Sequence, residues 1–230
     1  PMIQWVYEQA QKASLVHDVV IATDDKRIYD VVLGFGGNAV MTSPSHNSGT
    51  DRVAEVVRNL ECDIVVNIQG DEPLIPPENI DLVIEPLLAR DDLSVSTLMI
   101  AIHNSSEMLD PDICKVVVDN AGCALYFTRA PIPYNRDFDY IEETYSDPKI
   151  NLNKRILGFK HIGIYAYKKS FLPQFINMKV SKLENSEKLE QLRILENRYL
   201  IQLVETKQNS IGVDRPEDID KVIKAMNGKN

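Results

Sequence analysis

The sequence predicts an α/β protein built on a mixed, mostly parallel β-sheet, with helices on both faces and an antiparallel excursion in the middle of the chain. Two observations lead to this prediction. In the first 100 residues, short β-branched or apolar runs alternate with amphipathic segments, which is typical of a parallel sheet covered on both faces. Between residues 115 and 128, two β-like runs follow each other across a Gly-containing turn, which predicts a hairpin.

The first half of the chain predicts four helices and four strands. Apolar residues that recur every three or four positions identify the helices, and runs rich in Val and Ile identify the strands. The predicted helices are 2–13, 25–33, 50–60 and 78–89, and the predicted strands are 18–23, 39–41, 63–68 and 94–100.

The second half opens with the predicted hairpin and then becomes less regular. Residues 131–154 are rich in Pro, Asn, Asp and Tyr and predict a long insertion. The remaining predicted elements are hairpin strands 115–119 and 123–128, strands 161–167 and 200–205, and helices 169–176, 186–197 and 216–226.

Composition restricts the classes of function. The 230 residues carry 25 Lys and Arg against 34 Asp and Glu, a net charge of −9. This balance disfavours a nucleic-acid partner, because phosphate contacts need clustered positive charge.

The sequence contains no run approaching the ~20 apolar residues of a membrane span, so no membrane contact is expected. The cysteines, Cys62, Cys114 and Cys123, are too few and scattered for a disulfide framework, which favours reduced thiols and a cytoplasmic location.

The strongest candidate site directly follows the apolar strand 63–68. Ligands of such sheets bind beyond the carboxyl ends of the strands, and there the sequence reads Gln-Gly-Asp-Glu-Pro from Gln69 to Pro73. Two carboxylates at the end of a buried strand cost desolvation energy unless a cation meets them, and Mg²⁺ is commonly held by one or two carboxylates. A turn whose acids face solvent is an equally weighted alternative.

Two further segments combine a possible site with an ordinary helix start. Asp214, followed by Pro216 and Glu217, makes a good N-cap, and capping alone explains it; the alternative is that Asp214 supplies a second carboxylate near Asp71. The polar turn from His46 to Arg52 offers backbone N–H groups to anions or base edges, with a simple capped helix as the alternative.

Candidate residues for an anionic ligand lie farther along the chain. Arg129 and Arg136 bracket a Pro-containing turn that suits bidentate recognition of a carboxylate, although a surface ion pair with the acids of the insertion is the favoured interpretation of either one alone. His161 opens a strand and by itself fits a structural histidine. Polar side chains at 187, 190 and 191 share one face of the predicted helix 186–197, which can bind sugar hydroxyls or simply face solvent.

Taken in order, these segments resemble the 3-deoxy-manno-octulosonate (Kdo) cytidylyltransferases, the CMP-Kdo synthetases of bacterial lipopolysaccharide synthesis. The resemblance implies a three-layer α/β/α Rossmann-like nucleotidyltransferase fold. It also implies transfer of CMP from CTP to the 2-hydroxyl of Kdo with release of pyrophosphate, Mg²⁺ as cofactor and a homodimer. The segments that carry the resemblance are 69–73, 115–117, 124–133, 161–165, 189–193 and 212–214.

The resemblance also assigns roles to individual residues. It gives Asp71 and Asp214 to the metal, against the cap-only interpretation of Asp214. It places Ser48, Arg52 and Gln69 around the cytidine, and it makes residues 104–175 a dimerisation and sugar-binding subregion. The residues that it places around the sugar acid are Arg136, His161, Glu190 and Gln191.

The sequence departs from the family at its start. Family members begin with a strand and a Gly- and basic-residue-containing loop that wraps the triphosphate, whereas this sequence opens after them, at Pro1. We therefore expect residues 1–230 to form a single nucleotidyltransferase domain without that strand and loop, and the natural protein to be active. Alternatives are a cytidylyltransferase for 8-amino-Kdo or sialic acid, and a nucleotide-sugar-binding module without turnover. A Rossmann dehydrogenase is disfavoured, because Gly34-Phe35-Gly36-Gly37 follows a helix and precedes a strand.

Overall fold

The computed structural model describes residues 1–46, 48–136, 155–213 and 215–227. Helices and strands alternate through most of these residues. The helices are α1 (Met2–Ala10), α2 (Lys26–Gly34), α3 (Gly49–Val57), α4 (Pro77–Ala89), α5 (Ser105–Leu109), α6 (Leu172–Ile176), α7 (Lys182–Glu187), α8 (Leu192–Glu196) and α9 (Asp218–Asn227). The strands are β1 (Ile21–Thr23), β2 (Ala39–Met41), β3 (Ile64–Asn67), β4 (Val95–Ile102), β5 (Lys115–Val118), β6 (Ala124–Thr128), β7 (Gly158–Lys168) and β8 (Ile201–Glu205).

Strand β7 organises the larger of the two sheets. It pairs with β4 along its whole length on one side, and with β3 and β5 on the other, antiparallel to all three. Strands β5 and β6 form the predicted hairpin. Strand β8 runs parallel to β4, and β1 and β2 form a separate parallel pair.

The predicted α/β fold with a mixed sheet is confirmed, but its antiparallel part is larger than expected. Of the six strand pairings among the described residues, only β1 with β2 and β4 with β8 are parallel. The sheet is therefore not mostly parallel in this part of the chain. The reason is that β7 lies between β3 and β4 and opposes both of them, so one strand converts two neighbouring positions to antiparallel pairing.

Apolar side chains fill both faces of this sheet, as the predicted three layers require. Tyr167 of β7 packs with α3, α6 and α8 residues in one buried cluster, while its neighbour Ala166 packs with α1 and α4 residues in another. Successive residues of a strand point to opposite faces, so these clusters cover the two sides of one sheet.

A bulge bends β7 near its middle. Thr97 of β4 lies opposite Tyr165 and the next residue, Leu98, lies opposite Ile162, so Gly163 and Ile164 are extra residues on β7. Nothing lies within 4 Å of the position that a Cβ would take on Gly163. The bulge lies between the part of β7 that pairs with β5 and the part that pairs with β3.

The structure differs from the prediction at α5 and around residues 186–197. The short helix α5, capped by the Asn104 side chain, which accepts from the Glu107 N–H at 2.8 Å, was not predicted. The predicted helix 186–197 is wrong, because α7 ends at Glu187 and Lys188 adopts a left-handed conformation with φ 55°. Arg193 then donates to both carboxylate oxygens of Glu184 at 2.6 and 2.8 Å, which fixes α8 against α7.

Candidate active site

The start of α3 lies beside the turn that follows β3. Ser48 caps the helix, its hydroxyl accepting from the Asp51 N–H at 3.1 Å. A Cβ on Gly49 would lie 3.8 Å from the side-chain nitrogen of Gln69, an ordinary van der Waals distance, so the Gln69 amide lies against the first turn of α3. The predicted cytidine residues Ser48 and Gln69 are thus brought together.

Arg52 lies one turn further along α3 and already has partners. Its guanidinium donates to the Thr42 hydroxyl and pairs with Asp24 at 3.2 Å. Thr42 directly follows β2 and Asp24 directly follows β1, so Arg52 ties α3 to the carboxyl ends of both strands. About a fifth of the Arg52 side chain is exposed, which leaves part of this cation accessible at the sheet edge.

The carboxylate turn contacts the segment that precedes α9. The carbonyl of Asp71 accepts from the Val213 N–H at 2.8 Å, and Glu72 accepts from the Ser210 hydroxyl. A Cβ on Gly212 would lie 3.2 Å from a carboxylate oxygen of Glu72. Asp71 is therefore held next to Val213.

Asp214, which follows Val213 in the sequence, lies outside the described residues, so its predicted pairing with Asp71 stays a prediction. Among the residues that are described, no cluster of three or more His, Cys, Asp or Glu is arranged to hold a metal. The two carboxylates that the sequence offers are oxygen ligands, the type that Mg²⁺ prefers.

The segment between α7 and α8 connects the start of α3 to the centre of the sheet. Glu190 accepts from the Thr50 hydroxyl at 2.7 Å and lies 3.8 Å from the Arg193 guanidinium. Gln191 is buried, and its amide lies 3.8 Å from the sulfur of Cys114, to which it donates. Glu190 and Gln191 are therefore presented by a short connection rather than by a helix face.

Glu187 lies at the end of β6, away from the connection that holds Glu190 and Gln191. Its carboxylate accepts from the Thr128 hydroxyl at 2.6 Å and from the Arg129 N–H at 2.9 Å. The interpretation of residues 187, 190 and 191 as one free polar face is therefore wrong, because the helix breaks between them and turns Glu187 toward β6.

His161 lies on β7, where its ring is enclosed by aromatic neighbours. Phe127 contacts it edge-on and Tyr165 lies tilted against it, each with a centroid distance of 5.2 Å. Burial lowers the pKa of His161 from 6.5 to about 3, so the ring is neutral near pH 7.

Thr97 fixes which nitrogen of that ring carries the proton. The Thr97 hydroxyl lies 2.6 Å from the Ile164 carbonyl oxygen, to which it donates, and 2.9 Å from Nε2 of His161. Because a hydroxyl has one hydrogen, Thr97 accepts from a protonated Nε2. The other ring nitrogen, Nδ1, is then an acceptor.

Two site residues were not predicted. Thr50 binds Glu190, as described above, and Tyr165 places a buried hydroxyl beside His161 that has no hydrogen-bond partner among the described residues. Burial, together with Tyr167, Cys114 and Glu190, raises the pKa of Tyr165 well above its ordinary value. Tyr165 stands in the same short segment as His161, four positions later, which is the sequence signal that points to it.

The two arginines that bracket the Pro-containing turn have different outcomes. Arg129 donates to the Glu187 carbonyl and to the Pro111 carbonyl, both at 2.9 Å, so its guanidinium is occupied by backbone atoms. Arg136 is exposed, and no described contact joins it to the Glu190 or His161 side chains. Its place beside a sugar acid stays a prediction.

Comparisons with known proteins agree on one family. Residues 1–206 match the family model described as cytidylyltransferase. The chain is 50% identical over 228 residues to the 3-deoxy-manno-octulosonate cytidylyltransferase of Geotalea daltonii, covering 98% of this chain and 88% of that protein. The protein of the same name from Trichlorobacter lovleyi is 49% identical with the same coverage.

Solved structures place the fold in the same group. A CMP:2-keto-3-deoxy-manno-octonic acid synthetase complexed with CTP superposes with a TM-score of 0.88 at 39% identity, covering 100% of this chain and 89% of that one. The inositol-1-phosphate CTP transferase of T. maritima superposes with a TM-score of 0.61 at 12% identity, covering 98% and 82%. That second likeness concerns the fold alone.

Proposed function

Because the chain belongs to the cytidylyltransferase family, we propose that it activates Kdo with CTP, forming CMP-Kdo and pyrophosphate for lipopolysaccharide synthesis. The chain is a nucleotidyltransferase. The observation that carries the choice of substrate is the 50% identity over 98% of the chain to a relative named for this reaction. Two placements at the start of α3 support it: the Glu190 carboxylate accepts from the Thr50 hydroxyl, and the Gln69 amide lies beside Gly49.

In this proposal the cytidine binds at the start of α3. Ser48 and Gln69 lie there together and offer hydroxyl and amide groups to a base edge. Arg52 supplies positive charge at the same edge of the sheet while Asp24 and Thr42 hold its guanidinium in place. Hydrogen bonds of these types distinguish one base from another through its polar edge groups.

We assign Mg²⁺ to Asp71 and Asp214, whose oxygen ligands fit that ion. When bound, Mg²⁺ neutralises phosphate charge and lowers the pKa of a coordinated hydroxyl. The protein's own contribution at this point is to hold the Asp71 backbone against Val213, which keeps the turn after β3 in place. Glu72, which binds Ser210, belongs to the same support.

The sugar acid binds on the other side, along β7 and the connection between α7 and α8. The Glu190 carboxylate accepts hydrogen bonds from sugar hydroxyls, while Gln191 and the neutral His161 ring complete the pocket. We assign Arg136 to the sugar carboxylate. In the reaction the 2-hydroxyl oxygen of Kdo forms a bond to the α-phosphorus, the bond from that phosphorus to the β-phosphate bridging oxygen breaks, and the hydroxyl proton is lost to solvent.

We further propose a cytoplasmic homodimer in which residues 104–175 contribute to the contact. Large apolar side chains are exposed in this subregion, with 62% of Leu125, 86% of Tyr134 and 50% of Ile156 accessible. Surfaces of this kind commonly mark protein interfaces. Within the described ranges, no helix has both the length and the apolar character that crossing a membrane requires.

Pyrophosphate release from CTP tests the proposal across candidate sugar acids. We expect release with Kdo, and weaker or no release with 8-amino-Kdo and sialic acid. Asp71→Asn should lower kcat by at least about a hundred-fold, because several kcal/mol of charge neutralisation depends on this carboxylate.

Asp91→Asn is the control for that variant, since Asp91 is exposed and precedes the amino end of β4, whereas Asp71 follows the carboxyl end of β3. It should retain wild-type turnover. No release with any of the acids, as expected of a binding module, would contradict the proposal, and near-normal kcat in Asp71→Asn would contradict the assignment of that residue.

A further inference from the structure

Glu187 joins two parts of the chain that flank the proposed sugar site. One carboxylate oxygen accepts from the Thr128 hydroxyl at 2.6 Å and lies 3.5 Å from the Tyr126 hydroxyl, and the other accepts from the Arg129 N–H at 2.9 Å. Burial alone would raise the pKa of Glu187, but these hydrogen bonds outweigh it and the pKa is lowered. Both oxygens are therefore engaged by the end of β6.

The Arg129 side chain also donates to the backbone of Glu187. Its Nε donates to the backbone carbonyl of Glu187 at 2.9 Å, and its Nη1 donates to the Pro111 carbonyl at 2.9 Å. The last residue of α7 is thus fixed through both its side chain and its backbone. Arg129 in turn anchors this junction to the loop before β5.

The residues that follow this junction carry the proposed sugar contacts. Lys188 takes the left-handed conformation and ends α7, its N–H donating to the Glu184 carbonyl at 2.8 Å. The chain then reaches Glu190 and Gln191 within three residues, before α8 begins at Leu192. The direction in which residues 188–191 leave α7 therefore depends on how Glu187 is held, in addition to the Arg193–Glu184 pair that fixes α8 against α7.

We propose that Glu187 is a positioning residue of the sugar site, which holds residues 188–191 against the end of β6 so that Glu190 and Gln191 face the substrate. The inference rests on the proposed function, since it names a residue that shapes the same site. Direct contact of Glu187 with the sugar is disfavoured because its oxygens already serve Thr128 and Arg129. Its effect on catalysis therefore passes through its neighbours.

Steady-state kinetics of Glu187→Ala and Glu187→Gln test this role. Glu187→Ala removes the hydrogen bonds from Tyr126, Thr128 and Arg129 to a charged acceptor. It should raise the KM for Kdo at least about ten-fold, with kcat and the KM for CTP changed less than about three-fold. In Glu187→Gln the amide oxygen can accept from the Arg129 N–H and the amide nitrogen can donate to the Thr128 hydroxyl oxygen. It should restore the KM for Kdo to within about three-fold of wild type.

Amide hydrogen exchange supplies a readout that does not depend on turnover. In Glu187→Ala the amides of residues 188–191 should exchange faster than in wild type, because local opening is no longer opposed by the junction with β6. Glu196→Gln is the matched control, since it neutralises an exposed carboxylate of α8. It should change neither the exchange nor the KM for Kdo.

The possible failures are distinguishable. Absence of pyrophosphate release by the wild-type protein would overturn the proposed function. Wild-type release together with an unchanged KM for Kdo in Glu187→Ala, even with a lower amount of folded enzyme, would overturn the positioning role alone. A Glu187→Gln variant as impaired as Glu187→Ala would also overturn it, since only a requirement for the charge would then explain the result.

Discussion

The His161 ring, enclosed by aromatic neighbours, predicts a specific dependence of stability on pH. The pKa of His161 is about 3 in the folded chain, against an ordinary value of 6.5. The unfolded state therefore binds a proton between these two values while the folded state does not. Because the state that binds more protons is stabilised as the pH falls, His161 lowers the free energy of unfolding as the solution is acidified below pH 6.5.

The magnitude follows from the same numbers. From pH 8 to pH 6.5 the contribution hardly changes, and from pH 6.5 to pH 5 each pH unit costs about 1.4 kcal/mol, which gives a loss of about 2 kcal/mol at pH 5. Any folded-state pKa below about 4 gives the same loss at this pH. The loss corresponds to a roughly thirty-fold shift in the folding equilibrium.

Urea unfolding at pH 8 and pH 5 measures this quantity. The wild-type protein should lose about 2 kcal/mol more between the two pH values than His161→Gln, which carries no titrating ring, and the difference removes the common contribution of the carboxylates. His17→Gln replaces an exposed histidine and should keep the wild-type dependence. Equal losses in wild type and His161→Gln would refute the argument that the ring is held neutral by burial.

Two further predictions concern buried polar groups. Arg193→Ala leaves Glu184 partly buried without its bidentate partner, so the free energy of unfolding should fall by about 3–5 kcal/mol. The control Lys26→Ala breaks an exposed ion pair and should lower it by less than about 1 kcal/mol. Thermal unfolding measures both variants, and equal losses would contradict the packing argument. Burial raises the pKa of the Cys114 thiol to about 12, so in mass-spectrometric mapping at pH 8 iodoacetamide should modify Cys114 only after unfolding, and rapid modification of the folded chain would show that the thiol is accessible.

The elements that depend on local sequence could be predicted. The run of Val and Ile at β3 and the turn after it, the hairpin of β5 and β6 around Gly122, and the capped start of α3 all carry their signals within a few residues. Each has the period or the turn residue that its structure requires. The general rule for strand ends points to the segment that contains Gln69, but its grouping with Ser48 came from the family resemblance and not from local signals.

The parts that depend on distant contacts could not be predicted. The break between α7 and α8 accompanies the pairing of Arg193 with Glu184. The helical pattern of apolar residues from 186 to 197 does not predict this break. The dominance of antiparallel pairing likewise depends on the position of β7 in the sheet, and the sequence of a strand does not show which strands it pairs with. The role of Thr50 appears only when the chain brings Glu190 to it.

The identity of the reaction product tests the central proposal most directly. After incubation of the protein with CTP, Kdo and Mg²⁺, mass spectrometry and ³¹P NMR of the products should show CMP joined to Kdo through a phosphodiester, together with an equal amount of pyrophosphate. Release of CDP and inorganic phosphate, or recovery of unchanged CTP and Kdo, would contradict the proposal that this chain transfers CMP to the sugar acid.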